Sequence, residues 1–98
     1  RRLGRSLLSR SLIDFIAVTD EFSIIELTVP EQLAGKTLAE LRLRERFSIN
    51  VALIKSAQGV TKVPEGNSRL RHDDVLIILG RDLDLQQFEM AFGQGALE

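Results

Sequence analysis

Arg42, Arg44, Arg46 and Asn50 are the residues of this chain best suited to hold a ligand. Guanidinium groups grip phosphates through paired N–H donors. The neighbouring Leu38, Ala39, Val51 and Ala52 offer an aliphatic floor for a flat heterocycle. The same residues also fit a solvent-facing helix end followed by a strand asparagine, and their types alone favour that plainer reading. A second group, His72-Asp73-Asp74, contains the only histidine. Any Ser-His-Asp arrangement would depend on it, yet it sits in a turn, where a histidine without a chemical role is the better reading. As a metal site the group is poor, because adjacent residues seldom converge on one ion and no cysteine or second histidine completes a set. A hard cation held by surface carboxylates is the remaining option. Gly35-Lys36-Thr37 is not a phosphate loop: that loop needs a further glycine where this chain has Pro30. Glu26, Glu40 and Glu89 are isolated from one another, so acid–base pairing is unsupported and each reads as solvated surface charge. With no nucleophile–base pair, these residues give no support to an enzyme.

Composition narrows the classes further. Ninety-eight residues make one domain, and 44% hydrophobic with 28% charged residues is ordinary for a globular chain. A net charge of −1 argues against nucleic-acid binding, as does the lack of Trp and Tyr for base stacking. The absence of cysteine removes disulfides and thiolate chemistry and fits a cytosolic protein. No apolar run approaches the ~20 residues of a membrane-spanning helix. The basic start lacks the apolar region of a signal peptide. The chain begins with Arg and reads as a piece of something longer, and Leu97-Glu98 reads as a cloning scar.

The elements that must position these residues follow from apolar spacing. Leu3, Leu7, Leu8, Leu12, Ile13 and Phe15 predict a helix over residues 1–18. Its arginines (Arg1, Arg2, Arg5, Arg10) suit a solvated face or a connecting helix, with a membrane-surface or phosphate-binding helix as the alternative. Residues 22–29 alternate as a strand ending at Pro30. A helix is expected from Gly35–Thr37 to about Arg44, with Leu38, Leu41 and Leu43 inward. Residues 47–55 predict a strand with Phe47, Ile49, Val51 and Leu53 on one face, and residues 60–63 a short return strand. Pro64 opens a loop, and Asp73-Asp74 suit a tight turn, left-handed if need be. The run Val75-Leu-Ile-Ile-Leu79 predicts a strand buried on both faces and stopped by Gly80. Residues 82–92 predict a closing helix, capped by Asp82 or Asp84, with Leu85, Phe88 and Phe92 inward. The fold class is therefore α+β: a small, mainly antiparallel sheet covered by two helices and preceded by an N-terminal helix.

Several of these pieces, taken in order, carry a resemblance. Glu26-Leu27-Thr28-Val29-Pro30, Gly35-Lys36-Thr37-Leu38-Ala39-Glu40-Leu41, Ile49-Asn50-Val51, Pro64 and the stretch from Leu70 to Gly80 resemble the TrkA-C domain, also called RCK-C. Asp73-Asp74 stand where that family usually has Gly-Asp. The resemblance implies residues 1–20 as a linker helix from a preceding RCK-N domain, residues 21–93 as the TrkA-C domain, and 94–98 as a tail. It also implies a cytoplasmic regulator of a Ktr/Trk-type potassium channel or transporter, peripheral to the inner membrane through the channel subunit and homodimeric through this domain. No cofactor is implied, only an effector such as cyclic di-AMP held at the dimer two-fold. The implied contacts are Leu38 and Ala39 as apolar floor, Arg44 for phosphate, Asn50 for polar contact and Pro64 as a wall. A ligand-contacting histidine of the family has no counterpart, since His72 falls in a different turn. Two alternatives stand beside this reading: a structural dimerisation domain without ligand, and the regulatory domain of a cation/proton antiporter.

Overall fold

The run that begins at Val75 forms the middle strand of a five-stranded antiparallel sheet. The computed structural model describes residues 12–93. In chain order these form β1 (Leu12–Ala17), β2 (Phe22–Thr28), a 3₁₀ turn (Glu31–Leu33), α1 (Leu38–Leu41), α2 (Leu43–Phe47), β3 (Asn50–Lys55), β4 (Thr61–Lys62), β5 (Val75–Arg81) and α3 (Asp82–Phe88), which widens into a π turn over Glu89–Gly93. The strand order is β1-β2-β5-β3-β4, so β5 pairs with both β2 and β3. Ser23, Ile25 and Leu27 of β2 and Leu76 and Ile78 of β5 point to one fully buried face. There they meet Leu33, Leu41, Leu43, Leu85 and Phe88 from the helical layer. Each of the apolar side chains contributes ~1.5–3 kcal/mol by leaving water. Phe47, Phe88 and Phe92 close one end of this core, with ring centroids 5.4–5.7 Å apart.

Residues 12–17 are not the end of a helix. They form β1, antiparallel to β2 (Phe15 opposite Ile25, Ile16 opposite Ile24). Leu-Ile-Asp-Phe-Ile-Ala is rich in β-branched and aromatic residues, which fit a pleated surface better than a helix. The free edge of β2 then supplies the ladder. The expected linker helix otherwise lies in residues 1–11, outside the described residues.

The helix expected over 35–44 breaks in two at Arg42, which adopts left-handed dihedrals (φ 50°, ψ 46°). The cause is the placement of leucines. Leu41 and Leu43 are both 4% exposed, yet residues two apart point to nearly opposite sides of a regular helix. A left-handed residue between them turns the chain so that both reach the core. It costs ~1–2 kcal/mol, less than burying a second leucine returns. Ser48 (φ 58°) repeats the device after α2, so Phe47 ends a helix and β3 starts at Asn50, three residues later than its apolar pattern indicated.

Strand β3 also departs from simple alternation. Val51 pairs with Ile78 and Leu53 with Ile77, leaving Ala52 as a bulge. Hence Ile49 and Ile54, of opposite parity, are both 2% exposed. Strand β5 is buried on one face only: Leu79 is 37% exposed. It also runs through Gly80 to Arg81. Among the described residues only Arg42, Ser48 and two glycines, Gly35 and Gly59, have positive φ, so Asp73 and Asp74 do not use the left-handed region. Asp74 closes its turn with its carboxylate, which accepts the Arg71 amide at 3.1 Å. Helix α3 has no side-chain cap. Asp82 instead accepts the buried Ser23 hydroxyl at 2.6 Å, and Asp84 the Arg81 guanidinium at 3.2 Å. Glu89, read as surface charge, is 1% exposed, because it follows Leu85 by one helical turn and shares its inward stripe.

Gly80 is required for space. A methyl group there would lie 2.9 Å from Ile49 Cγ2 and 3.3 Å from Leu85 Cδ2. Gly80→Ala is expected to destabilise the domain by about 1–3 kcal/mol in urea unfolding. Gly66→Ala, whose methyl would find only Ala39 Cβ at 3.7 Å, should change stability by less than about 0.5 kcal/mol.

Candidate functional site

The corner between α1 and α2 forms one wall of an open cavity of about 550 Å³, and the start of β3 forms another. Thr37 fixes the corner through a capping box: its Oγ1 accepts the Glu40 amide at 3.2 Å, and Glu40 Oε1 accepts the Thr37 amide at 2.9 Å. Two further amides of the first turn are also occupied, Leu38 N–H donating to Ser68 O (3.1 Å) and Ala39 N–H to Gly66 O (2.8 Å). Those bonds draw the 64–68 loop, with Pro64, against the helix. They also leave these two amides unavailable to an anion.

The cavity is lined by all five residues expected to hold ligand: Leu38, Ala39, Arg44, Asn50 and Pro64. Arg44 Nη2 donates to Asn50 Oδ1 at 2.9 Å, joining α2 to the first residue of β3. Both side chains are exposed, so the pair presents further guanidinium N–H groups and the asparagine amide to the opening. The arginine triplet does not act together. Arg42 also lines the cavity and lies 3.8 Å from Glu45, a loose exposed pair of little energetic weight. Arg46 turns away: its guanidinium stacks 5.3 Å from the Phe47 ring centroid and 5.7 Å from that of Phe92, and donates to Leu41 O. It belongs to the core lid.

Sequence reasoning passed over Leu43, Glu45, Ile49, Glu65 and Gly66 as lining residues. The i,i+3 spacing of Arg42 and Glu45, and the adjacency of Glu65-Gly66 to Pro64, were the signals that could have found Glu45, Glu65 and Gly66. His72 is remote from this cavity. It lies beyond the far end of β3, roughly 17 Å along the strand, with Nδ1 3.2 Å from Asp73 Oδ1. Among the described residues, no three His, Cys, Asp or Glu side chains gather to hold a metal ion.

Against known proteins, the TrkA-C domain profile matches residues 22–93. The chain is 29% identical over 89 residues to Ktr system potassium uptake protein C of Bacillus subtilis, which covers 91% of this chain and 40% of that protein. It is 27% identical over 88 residues to Ktr system potassium uptake protein A of the same organism, covering 90% and 40%. The chain thus spans about 40% of the length of these curated relatives. Among solved structures, the RCK C domain of potassium transport protein KtrA in complex with cyclic di-AMP is 36% identical with a TM-score of 0.68, covering 74% of this chain and 86% of that one. The GsuK RCK domain is 26% identical with a TM-score of 0.68, covering 93% and 21%.

The capping box has a measurable signature. The Thr37 amide hydrogen bond, aided by the Arg69 and Lys36 charges, holds the Glu40 carboxyl below the usual glutamate range. A carboxyl lowered by folding stabilises the native state above its unfolded pKa, and that contribution is lost as pH falls through the folded one. Thr37→Ala is expected to lower stability by about 1 kcal/mol at pH 7 and to raise the Glu40 midpoint in an NMR titration. Glu40→Gln should flatten the stability profile below about pH 4.

Proposed function

Because the chain belongs to the TrkA-C domain family, we propose that it is a ligand-sensing dimerisation module that regulates a potassium channel or transporter. Its effector is cyclic di-AMP, or a small molecule of the same kind, held in the cavity at the α1–α2 corner. The observation that carries this reading is the convergence of Leu38, Ala39, Arg44, Asn50 and Pro64 on that one cavity. Its chemistry suits a cyclic dinucleotide: an aliphatic floor for adenine, a guanidinium for phosphate, and an amide for a base or ribose edge. The KtrA RCK C domain, 36% identical, was solved with that ligand.

The cavity is open on one side, so one protomer covers only part of a dinucleotide. A second copy related by a two-fold axis would present the same residues to the other half, as an isologous interface requires. Closing two such corners around a ligand would alter the spacing of whatever each chain is joined to. On this reading those neighbours are the RCK-N domain of the same parent chain and, through it, a membrane subunit at the cytoplasmic face. A coupling of ~1–3 kcal/mol would shift channel opening by 5- to 150-fold. The hydrogen bond that Arg44 donates to Asn50 Oδ1 favours one further reading, a dimerisation corner without ligand, since it already satisfies both side chains in part.

Calorimetric titration with cyclic di-AMP, with cyclic di-GMP as control, separates the two. Selective binding at one ligand per two chains is expected, and Arg44→Ala or Asn50→Ala should weaken it about tenfold or more. Variants that bind as tightly as the parent would remove the cavity from the account, and a dimer that binds neither nucleotide would leave the purely structural role.

A further inference from the structure

We propose that a second cavity, beyond the far end of β3, binds a small phosphate-bearing molecule through Arg71 and Lys62. This cavity measures about 500 Å³ and lies between the β3–β4 hairpin and the turn at residues 71–74. It shares no lining residue with the cavity at the α1–α2 corner. Its volume falls within the ~300–1,000 Å³ usual for small-molecule sites.

The charge balance of the lining decides the ligand class. Its lining carries Lys62, Arg69 and Arg71 together with Asp73, Asp74 and His72. Each carboxylate has one oxygen in contact with its own turn. Asp74 is 6% exposed and its Oδ2 accepts the Arg71 amide. Asp73 turns to its neighbour His72, Nδ1 to Oδ1 3.2 Å. Arg69 lines the cavity but is committed elsewhere: it donates to Gly35 O at 2.5 Å and its charge acts on Glu40, so it is not counted toward the ligand. Among the described residues, no side-chain hydrogen bond or ion pair engages Lys62 or Arg71.

The remaining walls suit the body of such a molecule. Ser56 Oγ accepts the Val60 amide at 3.2 Å and keeps its own hydrogen to donate. Ile54 and Val60 add an apolar surface. Two unengaged cations and a hydroxyl donor around one concavity match a phosphate, which the Arg71 guanidinium can take bidentately.

The test is an NMR titration of the ¹⁵N-labelled chain with inorganic phosphate, sn-glycerol 3-phosphate and, as neutral control, glycerol. Saturable shifts confined to residues 54–62 and 69–74 are expected with the phosphates and not with glycerol. Arg71→Ala and Lys62→Ala should each weaken binding about fivefold or more, and Arg71→Lys should weaken it less. Tighter binding of the glycerol phosphate would assign an organic ligand, and tighter inorganic phosphate the ion itself. Shifts that do not saturate, that spread equally to Arg42, Arg44 and Arg46, or that survive Arg71→Ala would overturn the proposal. Both residues are exposed, so unchanged signals elsewhere in the variants' spectra will show that they still fold.

Discussion

The double pairing of β5 is the constraint on which the rest of the structure depends. Strand β5 pairs with β2 along its seven residues and with β3 over Val75–Leu79, so two segments distant in sequence are held by one strand. Leu76 and Ile78 send their side chains into the helical layer while the backbone fixes the height of β3. Asn50 is set opposite Leu79 by that register, and Gly80, the next residue, admits Ile49 and Leu85 against the strand. The polar member of the candidate site therefore takes its position from the apolar centre of the sheet.

Strain supplies the other half of the site. Arg42 and Ser48 bracket α2, and each adopts a backbone conformation that costs a non-glycine residue ~1–2 kcal/mol. Burial of Leu43 and Ile49 offsets that cost. The result is a five-residue helix turned out of line with α1, carrying Arg44 toward Asn50 and Arg46 toward the phenylalanine cluster. Three arginines at alternate positions are thereby sent to three different tasks.

Residues with a repeating pattern were the ones legible in advance. The alternation of β2 and the apolar run of β5 announced their strands, and Leu85, Phe88 and Phe92 announced a helix, although its last turn is π and not α. The five candidate site residues were singled out only through likeness to a family, because their types alone favour a solvent-facing corner. Breaks in pattern stayed hidden. The bulge at Ala52 and the left-handed Arg42 arise because apolar residues at unfavourable spacing must all reach one core, a demand that appears only when the layers are assembled. Residues 12–17 misled for the opposite reason: their leucine and isoleucine spacing continued a helical stripe, while the open edge of β2 offered them a ladder.

A rigid sheet and a strained corner together frame an open cavity, and the proposed role requires a symmetric ligand to close it. A crystal structure of the chain grown with cyclic di-AMP tests that claim most directly. The account predicts one dinucleotide on a two-fold axis between two chains, with Arg44 of each within hydrogen-bonding distance of a phosphate and the bases over Leu38 and Ala39. A dinucleotide seated elsewhere, or a two-fold dimer that buries the α1–α2 corner with no room for ligand, would contradict it.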